Sequence, residues 1–122
     1  QTYHRTGKEI MAAGYQDIFL EQGTTFFTQI TLDGSNGDPF DLSNYTVRSQ
    51  ARKSYYSVNP TITFDATIYD ANNGIIQLAA SSAVTANVPA GKLVYDVVIS
   101  TANTVTRVLE GQIFVSPSAT QL

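Results

Sequence analysis

Three of the chain's seven basic residues fall within six positions, in the stretch "YTVRSQARKSYYS" (45–57), as Arg48, Arg52 and Lys53. Tyr55 and Tyr56 follow at once. Cations interleaved with aromatics make two kinds of surface. One neutralises phosphates while bases stack on exposed rings. The other packs on a protein, where Arg and Tyr are enriched and Lys is not. On a strand, Arg48, Gln50 and Arg52 share one face, and Tyr45, Val47, Ser49 and Ala51 share the other. The paired tyrosines therefore come after the strand, not on its polar face. The net charge of −3 also argues against phosphate, whose binding needs an excess of cations to displace counterions. The expectation is that Arg48, Arg52, Tyr55 and Tyr56 lie at or beside a subunit interface, in a homo-oligomer or against another protein, with no nucleic acid.

The other chemistry-bearing residues do not form a reaction centre. The single histidine is His4 and there is no cysteine, so a Ser–His or Cys–His nucleophile has no plausible base. Gly34, Gly37 and Gly74 sit in turns with no helix behind them to cradle a phosphate. "DGSNGD" (33–38) has oxygen ligands at close spacing, but in a calcium loop counted from Asp33, Asn44 stands where a closing bidentate Glu is needed. It reads as a strand-ending turn. Asp96 and Glu110 have Arg107 close by in a hairpin, and the plain reading is a cross-strand ion pair with Asp96 facing Arg107. No catalytic residue, cofactor or metal is expected.

The elements that must position these residues are short strands. Only 14% of the chain is charged, so its polar surface comes from Thr, Ser, Asn and Gln, and turn formers recur at close intervals. "DIFL" (17–20) opens the pattern. "TTFFTQITL" (24–32) alternates Phe26, Thr28, Ile30 and Leu32 against Thr25, Phe27, Gln29 and Thr31. "YTVRSQAR" (45–52) follows, then "TITFDATIY" (61–69) with Ile62, Phe64, Ala66 and Ile68 inward, and the turn "DANNG" (70–74) returning into "IIQLAA". "SSAVTANVPAG" (81–91) has a Ser cap and no alternation, which predicts one helical turn. "KLVYDVVIS" (92–100) and "TVTRVLEGQIFV" (104–115) make a last hairpin, with Gly111 expected at a bulge.

The fold class is thus all-β, an immunoglobulin-like β-sandwich of about seven strands with one short helical turn. Its expected core is Phe26, Ile30, Val47, Phe64, Ile68, Ile76, Leu78, Leu93, Tyr95, Val97, Ile99, Leu109 and Ile113, with Phe64 and Tyr95 on facing sheets. Residues 14–117 form the domain, 1–13 a flexible segment and 118–122 a tail. The first methionine, Met11, opens a start-like "MAAG", so the residues before it are read as an upstream extension or an artificial addition. No apolar run is long enough for a membrane helix, and "QTYHRTGKEI" has no apolar core of a signal peptide.

The order of pieces resembles a family of small virion structural proteins of tailed bacteriophages, and is similar to the N-terminal domain of phage baseplate upper proteins. The residues that carry this are "DIFLEQGTTF", "GDPFDLSNYTVRSQARKS", "NGIIQLAASSAVTANVPAGKLVYDVVIS" and "VTRVLEGQIFVSPSAT", which together span residues 17–120. The resemblance implies an immunoglobulin-like sandwich without enzymatic activity. It implies a structural role in the particle, at tail, baseplate, neck or capsid surface, through contacts with other virion proteins. The virion, assembled in the host cytoplasm, is then its location. The family commonly has a tyrosine two positions before the "YD" tyrosine, and Leu93 stands there, so a tyrosine-corner bond is not expected from that position. The rival reading is a host-receptor or glycan-binding module, with the Tyr-rich 55–69 segment stacking on sugars.

Overall fold

A computed structural model describes residues 14–34 and 37–118. Two sheets pack face to face. The smaller has three strands in the order β3 (Phe26–Thr31), β7 (Ile75–Ala80), β6 (Asp65–Asp70), all antiparallel. The larger runs β1 (Gly14–Tyr15), β9 (Val105–Ser116), β8 (Gly91–Ser100), β4 (Thr46–Arg52), β5 (Ile62–Thr63), and β2 (Ile18–Glu21) continues β1 along β9. β1 and β2 run parallel to β9, while every other pair is antiparallel. The chain changes sheet from β2 to β3, from β3 to β4, from β5 to β6 and from β7 to β8, so neighbours in sequence cover one another across the core. This is an immunoglobulin-like β-sandwich.

The passage from β7 to β8 carries the expected helical turn, α1 (Ser82–Ala86). Ser81 caps it, its Oγ accepting from the Val84 N–H at 3.3 Å. Thr85 is buried and donates to the Thr24 carbonyl at 2.7 Å, which ties α1 to the chain entering β3.

Alternation places the core as expected in most strands. Ile30, Phe64, Ile76, Leu78, Leu93, Tyr95, Val97, Ile99, Leu109 and Ile113 are buried. Phe26, Val47 and Ile68, also expected inside, are only half-buried and pack against the core's margin. Each lies on a strand that is unpaired along one flank at that point, so no neighbouring strand closes over it. The core is completed by residues outside the expected set. Ile18 and Leu20 come from β2, Val88 follows α1, and Phe40 and Leu42 come from the loop between β3 and β4. That loop is laced to strands and turn, with the Phe40 N–H donating to Leu32 O at 3.0 Å and the Leu42 N–H to Ala71 O at 2.8 Å.

Four expectations need correction. The first short strand is Ile18–Glu21, preceded by the separate two-residue β1. The run 61–69 is not one strand. Ile62–Thr63 pairs with β4, Asp65–Asp70 pairs with β7, and Phe64 sits at the crossing, in neither sheet. Its N–H still donates to Ser49 O at 3.0 Å. Alternation records which side chains face the core, and it persists when a chain exchanges one hydrogen-bonding partner for another.

Third, the bulge in the last hairpin is at Val108, not Gly111. Val97 pairs with Leu109 and Val98 with Arg107, so Val108 is the extra residue. Fourth, this slip places Asp96 opposite Glu110 and Arg107 opposite Val98, so Asp96 and Arg107 meet on a diagonal.

Gly111 has another reason to be glycine. It stands opposite Tyr95 in regular pairing, and a Cβ there would collide with the Gln16 carbonyl and touch the Tyr95 ring at 3.2 Å. Gln16 is the kink between β1 and β2. Its N–H donates to Glu110 O at 3.0 Å, and its carbonyl receives the Tyr95 hydroxyl at 2.6 Å. Leu93 is plain core, as its side chain requires, and Tyr95 makes the long-range hydroxyl-to-backbone bond instead. The expectations for residues 1–13, with His4 and Met11, lie outside the described residues.

Candidate interaction surface

The outer face of the larger sheet is where the sequence concentrates charge and exposed aromatics. Register lays it out in rows: Arg52, Val94, Gln112; then Gln50, Asp96, Glu110, Tyr15; then Arg48, Val98, Arg107. A fourth row at the other end is Lys92, Phe114, Phe19. Asp96 and Glu110 are thus like charges placed directly opposite, an unfavourable pair on its own. Arg107 relieves it by reaching both, with Nε 3.2 Å from Asp96 Oδ2 and Nη1 3.9 Å from Glu110 Oε1. The Val108 bulge is what brings Arg107 to that diagonal.

Arg52 is not a free cation. Its Nη1 donates to the carbonyls of Ser57 at 3.1 Å and Val58 at 2.8 Å, and its Nη2 to Gln50 Oε1 at 2.8 Å. The guanidinium fork therefore pins the loop after β4 back on the strand that precedes it. Within that loop the Ser57 N–H donates to Ser54 O at 3.1 Å, closing a turn with Tyr55 and Tyr56 at its two central positions. The Ser54 N–H donates to Ser57 Oγ and the Tyr56 N–H to Ser54 Oγ, which satisfies the turn internally. The tyrosines are left to project, Tyr55 at 58% and Tyr56 at 95% exposure.

Tyr55 forms one wall of a cleft of about 260 Å³ whose other walls include Gln50, Arg52, Val94, Asp96 and Arg107. Arg48 belongs to a neighbouring, larger cleft of about 590 Å³, where β5 leaves β4 to become β6, with Asp65 and Thr67 on the far side. Among the described residues the Arg48 guanidinium makes no hydrogen bond or ion pair. Of the four residues singled out in the sequence, the fold joins Arg52 and Tyr55. Arg48 stands two rows away along β4, and Tyr56 projects alone from the turn.

Sequence reasoning passed over Tyr15 and Phe19, which lie on the opposite margin of the same face and are 65% and 75% exposed. Phe19 stacks on Phe114 with ring centroids 5.5 Å apart and planes at 21°. The available signal was alternation within "DIFLE", which sends Ile18 and Leu20 inward and Phe19 outward. The phenol of Tyr15 titrates above its ordinary value, through partial desolvation first and then its hydrogen bond to Asp17, with Tyr55 and Glu110 also in range. Tyr95, beneath this margin, is pushed up to about 12 by burial, with Asp17 and Tyr15 adding to the effect.

The arrangement supplies rings for stacking, a pinned turn and fixed polar groups. Among the described residues no three acidic or histidine side chains converge as a metal site would require. No protein-family model matches the sequence. A search of curated proteins finds no match either.

Proposed function

We propose that this chain is a structural protein of a tailed-bacteriophage virion, at tail or baseplate, neck or capsid surface. In this reading it acts without catalysis, by protein–protein contact through the outer face of its larger sheet. The resemblance over residues 17–120 supplies the virion context. The observation that carries the contact is the turn bearing Tyr55 and Tyr56, held by Arg52 with both rings exposed. A pre-ordered loop loses little further freedom on docking, and exposed aromatics are the side chains that anchor such interfaces. Arg48, two rows along the same face and without a partner among the described residues, offers a charge to a partner's carboxylate.

The test is a double variant, Arg48→Glu with Tyr56→Ala. Both side chains are exposed, so the variant should fold like the parent yet be incorporated poorly into particles. If it is incorporated normally, and the parent binds single-stranded nucleic acid with steep salt dependence, the interface reading fails in favour of a phosphate-binding one.

The cleft walled by Tyr55, Gln50, Asp96 and Arg107 favours a second reading, a host-surface glycan held by one stacking ring and several hydrogen-bonding groups. Titration with oligosaccharides should then shift the Tyr55 and Val94 resonances and spare those of β3.

A further inference from the structure

The smaller sheet has two edges, and they differ. β6 carries Asp65 and Asp70 at its ends, and its pairing with β7 is broken between Ile68 and Asp70. Terminal charge and irregular register are the devices that keep an edge strand from recruiting another chain. The other margins of the sandwich are also guarded. β1 and β2 are short and interrupted at Gln16–Asp17, β5 has two residues, and the freed stretch of β4 carries Arg48.

β3 has none of these devices. It pairs with β7 without a break from Phe26↔Ala80 to Thr31↔Ile75, and no described strand lies on its other side. From Gly23 to Leu32 the sequence has no charged residue and no proline. The Leu32 N–H donates toward β7, to Gly74 O at 2.8 Å, so alternation turns the backbone groups of Thr31, Gln29 and Phe27 toward the open side. Their side chains are exposed on the sheet's outer face, Phe27 at 58%.

An antiparallel edge can pair with its own copy across a two-fold axis. Centred on Gln29, that pairing sets Gln29 against Gln29 and Phe27 against Thr31, an aromatic beside a β-branched residue, with no like charges opposed. The same operation on β6 would bring Asp65 of one copy to the Asp70 end of the other, and on β4 it would bring an Arg48 from each side. Charge thus selects β3 as the edge suited to itself. We propose that two copies of this chain associate by antiparallel pairing of their β3 edges, joining their three-stranded sheets into one. This rests on the edge and is independent of the virion reading and of the larger sheet's outer face.

Sedimentation equilibrium of the full chain, from micromolar to millimolar, should show a monomer–dimer equilibrium. Hydrogen exchange at the Phe27, Gln29 and Thr31 amides should slow as concentration rises, with β6 amides unchanged. Gln29→Pro removes an N–H that β7 does not use, and Gln29→Lys adds an edge charge on an exposed side chain. Each should weaken association by about tenfold or more, and Arg48→Glu should leave it unaltered. If Gln29→Pro does not fold, Gln29→Lys alone decides. A monomer at all concentrations would overturn the proposal. So would protection of those amides that is independent of concentration, or a dimer weakened by Arg48→Glu and indifferent to Gln29→Lys. The last result would place self-association on the larger sheet.

Discussion

The larger sheet presents Arg48, Arg52, Lys92, Asp96, Arg107 and Glu110 on its outer face, whereas β3 and β7 carry no charged residue and β6 only Asp65 and Asp70. The difference extends to how each is held. The larger sheet is pinned by individual polar contacts: Arg107 between two carboxylates, Arg52 across its loop, and Tyr95 on the Gln16 carbonyl. The smaller has little beyond ladder bonds and apolar packing, its one side-chain bond between strands being a 3.4 Å contact of Gln29 with Gln77. Non-directional packing tolerates a neutral, repetitive strand, which leaves β3 regular and open. Directional contacts fix register and leave shaped, charged ground outside.

The largest effect expected is at the residue where the chain crosses from one sheet to the other. Phe64 is buried at the crossing, its ring centroid 5.6 Å from that of Phe26, and Phe64→Ala should cost about 3–5 kcal/mol in denaturant unfolding. A cost under about 1 kcal/mol would mean that hydrogen bonding, not packing, joins the sheets there.

Gly111→Ala probes the larger sheet's margin. The added methyl meets a backbone carbonyl that cannot rotate away, so a loss near the top of the about 1–3 kcal/mol range for overpacking is expected. Faster exchange of the Gln16 amide should accompany it, and unchanged exchange would show that the margin yields elsewhere.

Tyr95→Phe strands the Gln16 carbonyl and should cost about 1–2 kcal/mol. It also carries a pH signature. The folded-state value of Tyr95 is raised to about 12 from 10.0, so the unfolded chain loses this proton first. Stability from this group is complete below pH 10 and declines as pH rises toward 12. The Phe variant should show a shallower decline over that window, and parallel curves would break the assignment.

Arg107→Gln, the smallest, should cost only about 0.2–1 kcal/mol because the pair is exposed, and less at high salt. A cost independent of salt would mean that the guanidinium acts through packing against Val98 and not through charge.

Much of the sandwich was legible in the residues themselves. Alternation in 24–32, 45–52, 75–80 and 92–100 reports which side chains face inward, since that depends only on the two-residue period of a strand. Ser81 announces α1, because a cap acts within one turn of its own helix. The surface was legible in composition, with Tyr55, Tyr56 and Arg48 exposed as their polarity and loop context suggest.

What the tertiary structure alone decided are relations between distant segments. The sheet to which each half of 61–69 bonds depends on which edge lies nearest, and a period of two is the same in both. The bulge at Val108 needed its partner strand, because a bulge is a mismatch between two strands. The reason for Gly111 lies at Gln16, ninety-five positions earlier. The placing of Phe19 on the same face as Arg52 and Arg48 arises from register across four strands. Pattern and turn length constrain register within a hairpin, but register between strands distant in sequence is set only when hydrogen bonds and contacts bring them together in the folded chain.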